Sequence, residues 1–525
     1  MSSENEKVPS KASVESIETK QQEDLFEEGS IDPIYQAKAH VLNRAIQEIG
    51  MGRYQWHLFI IAGFGWFADS VWPVCFNLSF DLRVPHTDQN DVMLPAPWRS
   101  DSSTRDFGIP IPGSFLSLAL NIGLFVGAVF WGLGCDIWGR RWSFNITLLI
   151  AGVFGLAAGG SNSFLTLASL LAVMGVGVGG NLPVDSAVFL DFVPGTHQYL
   201  LTILSIWWSL GQLFVNLIAW PLIANFSCSP STAPGTCARR DNMGWRYLLF
   251  TLGGFTLLLW ALRFFIFNLE ESPRYLVGRG QDEAAVAVIH RLATYNGRSS
   301  SLSVEQLTRA GEDAKQKMAT DEKTSGKGPK VLSQSSSWSM DHVKALFETK
   351  KLAWSTSLLI SLWGIIGLAS TLYNNFLPFL LASRGAQFGD SSYYITYRNQ
   401  VILSVIGVPG AFLAGWAVEQ QYIGRKGTLA ISAGLTGVFL FASTTARSSN
   451  ALLGWNCGYA FHSNIMYGVL YAISPEIFPA KDRGTGNGLT ATATRVFGII
   501  APVIALYANL SNRCPGLCFW CFDYR

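Results

Sequence analysis

Long apolar runs separated by short polar segments make up most of the chain after residue 55. A helix needs about 20 apolar residues to cross a hydrocarbon core of about 30 Å, and each run has roughly that length and is apolar on every face. Such runs are too long for buried strands and lack the alternation of a membrane β-barrel. The pattern predicts an all-α membrane protein, with eleven spans near residues 56–80, 115–133, 142–160, 164–190, 199–224, 245–269, 352–380, 397–419, 428–446, 451–473 and 485–508.

The polar segments divide these spans into groups. Apolar residues at helical spacing over 33–49 predict an amphipathic helix on the membrane surface. The segment between the sixth and seventh spans is expected to hold one helix, over 281–295, followed by a Lys/Ser/Gly-rich stretch. We therefore predict five regions: a cytosolic segment at 1–55, a six-helix bundle at 56–269, a cytosolic linker at 270–350, a bundle of five spans at 351–508 and an aberrant tail at 509–525.

Basic residues in short loops indicate the orientation of a membrane protein. Arg140, Arg141 and Arg425 fall on one side of the predicted spans, whereas the loops at 160–163 and 446–450 on the other side hold one arginine between them. This bias predicts a cytosolic N-terminus.

Two loops are then expected to face outward, one at 81–112 and one after the fifth span. The second carries a glycosylation sequon at Asn225. It also holds Cys228 and Cys237, which can form a disulfide if the loop faces an oxidising compartment. The sequence leaves that bridge open.

Composition narrows the range of functions. Hydrophobic residues make up 49 % of the chain and charged residues 14 %, against about 25 % charged in typical soluble proteins. These values exclude a soluble enzyme, a fibrous protein and a disordered scaffold, and the net charge of +2 gives no reason to expect a nucleic-acid partner. Because the sequence has no phosphate-binding GxxxxGK[ST] loop, no metal-ligand spacing and no catalytic arrangement, we expect no enzyme activity, no cofactor and no metal.

An internal repeat sets the architecture. Gly139 follows the second span and Gly424 follows the eighth, 285 residues later. Asp191 follows the fourth span and Glu476 follows the tenth, again 285 residues later. Two landmarks that share one offset indicate two similar bundles in parallel order, which is the layout of a secondary transporter.

Three motifs resemble those of the major facilitator superfamily. They are GLGCDIWGRR at 132–141, ESPRYL at 271–276, and PEIFPAKDRGTG at 475–486 followed by Arg495 and Pro502. The resemblance covers about residues 45–508 and points to the sugar-porter, organic-ion and synaptic-vesicle-related branch. It implies two six-helix bundles around a central cavity. Since the apolar part of the tail is too short to cross a membrane, the twelfth helix is expected to be missing.

Two departures argue against sugar transport. Gln198 stands where the family has an arginine, and the seventh span, SLWGIIGLASTLYNNFLP at 361–378, lacks the glutamine-rich pattern of sugar porters.

Charges deep in the predicted spans are the strongest candidates for chemistry, because a charge at the bilayer centre is costly to insert. Asp69 lies midway along the first span and Asp185 in the inner third of the fourth. Burial favours a neutral carboxyl group, so either can bind and release a proton. Arg495, near the middle of the eleventh span, requires an anion, and Asp69, Asp185 or a substrate carboxylate can supply it. Arg263 is expected to extend to the membrane interface.

Other polar side chains within spans are candidates to line the cavity, since a lipid-facing position would leave their hydrogen bonds unmade. These substrate-binding candidates are Asn121, Gln212, Tyr373, Asn374, His462 and Tyr467, together with Arg495.

Acids and bases recur together after the second, eighth and tenth spans. We expect them to form a cytosolic gate whose ion pairs break when the cavity opens inward. The gate candidates are Asp136, Gly139, Arg140, Arg141, Glu271, Arg274, Glu419, Arg425, Lys426, Glu476 and Arg483. The pairs expected among them are Asp136 with the two arginines, Glu271 with Arg274, Glu419 with Arg425 and Lys426, and Glu476 with Arg483.

The sequence thus predicts a monomeric, multi-pass secondary active transporter of the plasma membrane or of a vacuolar or vesicular membrane. Its expected partners are the lipid bilayer, a small organic solute, expected to be an organic anion, and H⁺ moved in symport. Three alternatives remain open: a sugar porter, a membrane sensor that does not transport, and an inactive truncated paralogue.

Overall fold

A computed structural model describes residues 33–80, 114–227, 239–325, 343–387 except 345, 393–478 except 421, and 483–507. All regular secondary structure in these ranges is helical, which confirms the all-α prediction. The helices are α1 (Pro33–Ile49), α2 (Arg53–Phe80), α3 (Ser114–Trp138), α4 (Arg140–Gly159), α5 (Phe164–Phe192), α6 (Ile206–Phe226), α7 (Gly244–Ala261), α8 (Pro273–Gly278), α9 (Asp282–Tyr295), α10 (Val304–Ser325), α11 (Lys350–Gln387), α12 (Tyr393–Val418), α13 (Gly424–Ser443), α14 (Ser449–Ile477) and α15 (Arg483–Tyr507). Short turns at Gly195–His197 and Leu200–Ile203 precede α6, and a π-helical turn at Leu262–Ile266 continues α7.

Nine helical segments in the described residues are long and apolar enough to cross a membrane. The tenth and eleventh predicted spans fall on α14 and α15, which are 29 and 25 residues long. Large apolar side chains cover the outside of the helices, as a lipid-facing surface requires. Leu165, Phe265 and Trp354 are all more than 60 % exposed. The chain is therefore a multi-pass membrane protein.

Two bundles meet along two pairs of helices. The first bundle comprises α2 to α7 and the second comprises α11 to α15; α3 packs against α15, and α6 packs against α12. Gly132 of α3 and Gly488 of α15 stand at the first crossing, where a Cβ built on Gly132 would lie 2.5 Å from the Cα of Gly488. The missing side chains let the two backbones touch, so this crossing depends on glycine at both positions.

The internal repeat reappears as a repeated ion pair. Arg140 pairs with Asp191 in the first bundle, and Arg425 pairs with Glu476 in the second, so both partners are displaced by the same 285 residues. Gly139, which precedes the first of these arginines, has a φ angle of 104° and needs the freedom of glycine. We call the end of the molecule that carries these two pairs the gate face.

Helices α1, α8, α9 and α10 cover part of the gate face. The predicted helix at 33–49 is confirmed as α1, and its place on the membrane surface stays a prediction. Ala45 and Ile49 of the predicted apolar face are buried, whereas Ile34, Ala37 and Val41 are only partly buried. Helix α1 packs against α10 and α8, so protein covers part of this face. The predicted linker helix is confirmed as α9, whereas α8 and α10 were not predicted.

Several predictions fall outside the described residues. They are the structure of the loop at 81–112, the bridge between Cys228 and Cys237, the tail at 509–525 and the absence of a twelfth helix. The five predicted regions remain a prediction.

Candidate functional site

An ion pair joins the two bundles in the membrane-spanning region. Arg495 of α15 places its Nη2 atom 3.4 Å from the Oδ2 atom of Asp69 on α2. The side chain of Asp69 is 4 % exposed and that of Arg495 is 18 % exposed. Burial screens the attraction between the two opposite charges less than bulk water would, and it makes either charge costly when its partner is removed. The structure thus brings together the first-span acid and the eleventh-span arginine that the sequence singled out.

A cavity lies beside this pair, between the bundles. Its interior leaves about 30 Å³ to the centres of water-sized molecules, which is room for only a few waters. Helix α5 supplies one wall, and α11, α14 and α15 supply the others. The lining residues are Gly179, Leu182, Pro183, Ser186, Trp363, Tyr471, Ser474, Pro475, Asn487, Thr490, Ala491, Thr494 and Arg495.

Aromatic rings surround the cavity and close the contact between the bundles. Tyr471 makes an edge-on contact with Trp66 of the first bundle, with the ring centroids 4.9 Å apart. It makes a second edge-on contact with Trp363, at 4.6 Å. Trp208 of α6 packs edge-on against Tyr467, at 5.1 Å. Edge-on pairs are favourable aromatic geometry, and Trp363 and Tyr471 are the two of these rings that line the cavity itself.

Asp185 does not pair with Arg495, the partner that the sequence offered. Its carboxylate pairs with Arg263, whose guanidinium also lies over the ring of Phe144. Both side chains of the ion pair are fully buried inside the first bundle. The expectation that Arg263 extends to the membrane interface is therefore wrong. Arg263 is the second residue of the π-helical turn at Leu262–Ile266 that continues α7.

The other predicted substrate-binding residues are scattered. Tyr467 is buried in the aromatic wall and shares a hydrogen bond with Ser370. Asn121 donates to the carbonyl of Ser117 at 2.8 Å and lies close to Gly498 of α15. Neither of these two residues lines the cavity itself.

Tyr373 and His462 contact other residues of the second bundle. The hydroxyl of Tyr373 donates to Asn456. The ring of His462 stacks on Phe439, at 5.0 Å between centroids, and its Nδ1 lies 2.8 Å from the carbonyl oxygen of Gly458. Gln212 is half-buried on α6. The side chain of Asn374 lies outside the described part of the chain.

A continuous polar chain crosses the gate face. Arg140 bridges Asp191 and Asp136, with 3.2 Å between Nη2 and the Asp136 Oδ1 atom. Asp136 in turn accepts a 2.9 Å hydrogen bond from the backbone nitrogen of Thr485, at the start of α15. Arg274 approaches Asp191 from α8 at 3.6 Å. The predicted link from Asp136 to Arg140 is thus present, and it reaches the second bundle through Thr485.

Helix α1 extends this polar chain. The Oδ1 atom of Asn43 accepts hydrogen bonds from Nη2 and Nε of Arg274, at 2.6 and 3.1 Å. Arg274 lies outside the spans, and burial lowers the pKa of its guanidinium to about 10. Such a group needs acceptors, and Asn43 supplies one that sequence analysis missed.

The predicted pairing of Glu271 with Arg274 is wrong. Glu271 instead accepts from the backbone nitrogens of Arg140 and Arg141, at 2.9 and 3.4 Å, and so caps the first turn of α4. The guanidinium of Arg141 donates to Asn268 at 3.1 Å.

In the second bundle, Arg425 pairs with Glu476 at 2.7 Å rather than with Glu419. Glu419 and Lys426 are exposed. The sequence has five positions from Glu419 to Gly424, against three from Asp136 to Gly139, and the extra residues move the acid out of register. The predicted contact of Glu476 with Arg483 involves a side chain, that of Arg483, outside the described part of the chain.

Sequence analysis also missed most of the cavity lining. Asn487, Thr490, Thr494 and Arg495 recur at the spacing of one helix face, which was the available signal. Within the described ranges, no group of histidine, cysteine and acidic residues is placed to hold a metal.

Two helical bundles around a cavity with a buried ion pair define a membrane transporter. A family model described as sugar (and other) transporter matches residues 111–523. The chain belongs to this family of major facilitator transporters, which are not enzymes.

Comparisons with known proteins agree on this class. The chain is 71 % identical, over 94 % of its length and 89 % of the relative, to MFS siderochrome iron transporter 1 of Ceriporiopsis subvermispora. It is 24 % identical, over 89 % of its length and 90 % of the relative, to the niacin transporter NiaP of Acinetobacter baylyi. Among solved structures, the proton:xylose symporter XylE bound to a bromodeoxyglucose matches with a TM-score of 0.60 and 16 % identity, over 86 % of this chain and 87 % of that one. This last likeness concerns the fold alone.

Proposed function

We propose that this chain is a proton-coupled secondary transporter that moves a small organic anion by alternating access. The observation that carries the proposal is the ion pair between Asp69 and Arg495, which joins the bundles at the edge of the cavity. We further propose that it works as a monomer in the plasma membrane or in a vacuolar or vesicular membrane, with its N-terminus in the cytosol.

The pair couples a proton to an anion through charge balance. A carboxylate that enters the cavity competes with Asp69 for the guanidinium of Arg495. If the substrate takes that guanidinium, Asp69 is left as an unpaired buried charge, and binding a proton removes this penalty. One monovalent anion and one proton then occupy the site together and leave its net charge unchanged.

Two contacts between the bundles support alternating access. The contacts between Asp69 and Arg495 and between Asp136 and Thr485 both join one bundle to the other. The second contact lies on the gate face, so it must open for the cavity to empty on that side. The name of one relative supports an organic acid as substrate: the 24 % identical relative is named a niacin transporter, and niacin is a small organic acid.

Uptake into proteoliposomes tests the proposal. Purified wild-type protein is expected to accumulate a labelled organic acid from a screened set when the outside is acidified. Because the proton and the monovalent anion carry no net charge together, an imposed membrane potential alone should not drive accumulation.

The Asp69→Asn variant should lose gradient-driven accumulation while it still exchanges labelled for unlabelled substrate. Glu419→Gln, which removes an exposed carboxylate from the gate face, is the matched control and should behave as wild type. Undiminished gradient-driven accumulation by Asp69→Asn would refute proton coupling through this residue.

The name of the 71 % identical relative favours a second candidate substrate, a ferric siderophore. An iron-labelled hydroxamate chelate belongs in the same uptake screen, as do labelled sugars, because the family description includes them. Uptake of the chelate, with no uptake of any simple organic acid, would favour this second candidate.

A further inference from the structure

Two hydroxyl groups in the cavity wall have no hydrogen-bond partner among the described residues. They belong to Ser186 of α5, in the first bundle, and to Tyr471 of α14, in the second. The hydroxyls of Ser474, Thr490 and Thr494, which line the same cavity, instead donate to backbone carbonyls at 2.7 to 3.3 Å. Neither free hydroxyl oxygen is among the atoms that are sealed from solvent. Water in the cavity therefore finds one open hydroxyl on each bundle.

The cavity extends along α15 from the gate face toward the buried ion pair. At one end of this wall lies Asn487, two residues after Thr485, which donates to Asp136 on the gate face. At the other end lies Arg495, which pairs with Asp69. With the gate contact made, the interior has room for a few waters but not for an organic solute. A proton carried by water can enter a space that excludes the substrate.

Tyr471 connects this cavity to the helix face that carries Asp69. Its ring packs edge-on against Trp66 of α2, with the centroids 4.9 Å apart. Trp66 precedes Asp69 by three residues, so the two lie on the same face of α2. The charges of Asp69 and Arg495 lie within electrostatic reach of the Tyr471 hydroxyl, as does Tyr467 on the same helix. Because a phenolic hydroxyl both donates and accepts hydrogen bonds, it can take one proton while it gives another.

We propose that Tyr471 passes the proton between the water of the cavity and Asp69. When Asp69 loses Arg495, a hydronium ion gives its proton to the oxygen of Tyr471. The O–H proton of Tyr471 moves to the Asp69 carboxylate in the same step, directly or through one water. The tyrosine ends neutral, and the net change is one proton moved from hydronium to the carboxylate. This inference rests on the proposed function, because it names the route of the proton that Asp69 carries.

The rate at which Asp69 binds a proton tests this role, and the proton is itself the probe. Full-length protein in nanodiscs carries Arg495→Met, so that Asp69 has no counter-charge and titrates without substrate. A rapid jump from pH 7.5 to pH 5.5 starts protonation. Time-resolved infrared spectroscopy follows the carbonyl band of the protonated carboxyl group, which is assigned by its loss in Asp69→Asn. Arg495→Gln is the background if the methionine variant does not fold.

Removing the Tyr471 hydroxyl should slow protonation without changing its extent. Tyr471→Phe keeps the ring that contacts Trp66 and Trp363. It should lower the rate at least about tenfold, since proton transfer by a positioned side chain typically contributes a factor of about 10²–10⁴. If this variant does not fold, Tyr471→Trp replaces it, because an indole N–H donates but cannot accept. Tyr459→Phe, the same change on the same helix, is the matched control and should keep the parent rate, since Tyr459 packs against Tyr373 and does not line the cavity.

An unchanged protonation rate in Tyr471→Phe, or an equal slowing in Tyr459→Phe, would overturn the inference. Its failure remains distinguishable from failure of the proposed function. If the Asp69 band rises on the pH jump but is indifferent to the Tyr471 hydroxyl, only the inference fails. If no Asp69 band rises in the parent protein, Asp69 does not bind a proton, and the proposed proton coupling fails as well.

Discussion

Asp69 and Arg495 lie 3.4 Å apart in the membrane-spanning region, although 426 residues separate them in the chain. Removing one partner of a buried pair typically destabilises a protein by about 3–5 kcal/mol. Arg495→Met should destabilise the protein by an amount of this order at pH 7.5. The loss should be smaller at pH 5.5, because the unpaired carboxyl group of Asp69 can then take up a proton. Thermal unfolding in detergent at the two pH values measures the difference.

Lys426→Met is the control for this experiment, since Lys426 is exposed on the gate face and its removal should change stability little at either pH. An equal loss of stability by Arg495→Met at both pH values would argue against a titrating Asp69.

The close crossing of α3 and α15 predicts that a side chain larger than glycine is not tolerated at Gly488. A Cβ on Gly488 would lie 2.6 Å from the Cα of Gly132, so Gly488→Ala must push the two helices apart. We expect a lower melting temperature and slower uptake. Gly434→Ala is the matched control, because no atom lies within 4 Å of its added Cβ. In a helix that change should be neutral or stabilise by up to about 1 kcal/mol. Equal melting temperatures for the two variants would contradict the close crossing.

The hydrogen bonds between Asn43 of α1 and Arg274 can be tested by comparing variants of Asn43 and of its neighbour Arg44. Asn43 accepts two hydrogen bonds from Arg274, whereas the side chain of its neighbour Arg44 is 84 % exposed. Asn43→Ala should reduce stability by about 1.5–3 kcal/mol, the usual range for a hydrogen bond to a charged group. It should also speed proteolysis near α1. Arg44→Ala should change both measurements little, and a similar response of the two variants would show that α1 does not support the gate.

The pair of Asp185 and Arg263 is expected to behave as one unit. Asp185→Asn leaves a buried guanidinium without its counter-charge and should destabilise the protein by about 3–5 kcal/mol. Adding Arg263→Met to that variant should restore part of the loss. Melting temperatures of the wild type, the two single variants and the double variant form a complete double-mutant cycle. Strictly additive losses would rule out direct coupling between the two side chains.

The sequence predicted the helices of this fold well, because spanning helices must be long and apolar. It located every span that the structure describes, with boundaries shifted by a few residues. It missed α10, whose sequence is polar and whose helix packs against α1. It did not predict that α1 packs against α10 and α8, because an amphipathic pattern is the same whether protein or lipid covers the apolar face.

The site was harder to predict, because the sequence of a span does not show which face lines the cavity. Asp69 and Arg495 stood out as charges, and they do meet. His462 stood out as polar but stacks on Phe439, away from the cavity lining. Arg263 was expected at the membrane interface but pairs with Asp185 inside the first bundle, because the sequence of one span does not show which neighbouring span offers a counter-charge.

The central claim is that a substrate anion displaces the Asp69 carboxylate from Arg495 and that Asp69 binds a proton in the same step. Proton uptake during binding tests it most directly, with purified protein in a weakly buffered solution that contains a pH indicator and is titrated with the acid selected by the uptake screen. The wild type should take up one proton for each anion bound, and Asp69→Asn should take up none. Binding of the anion by the wild type without any proton uptake would contradict the account.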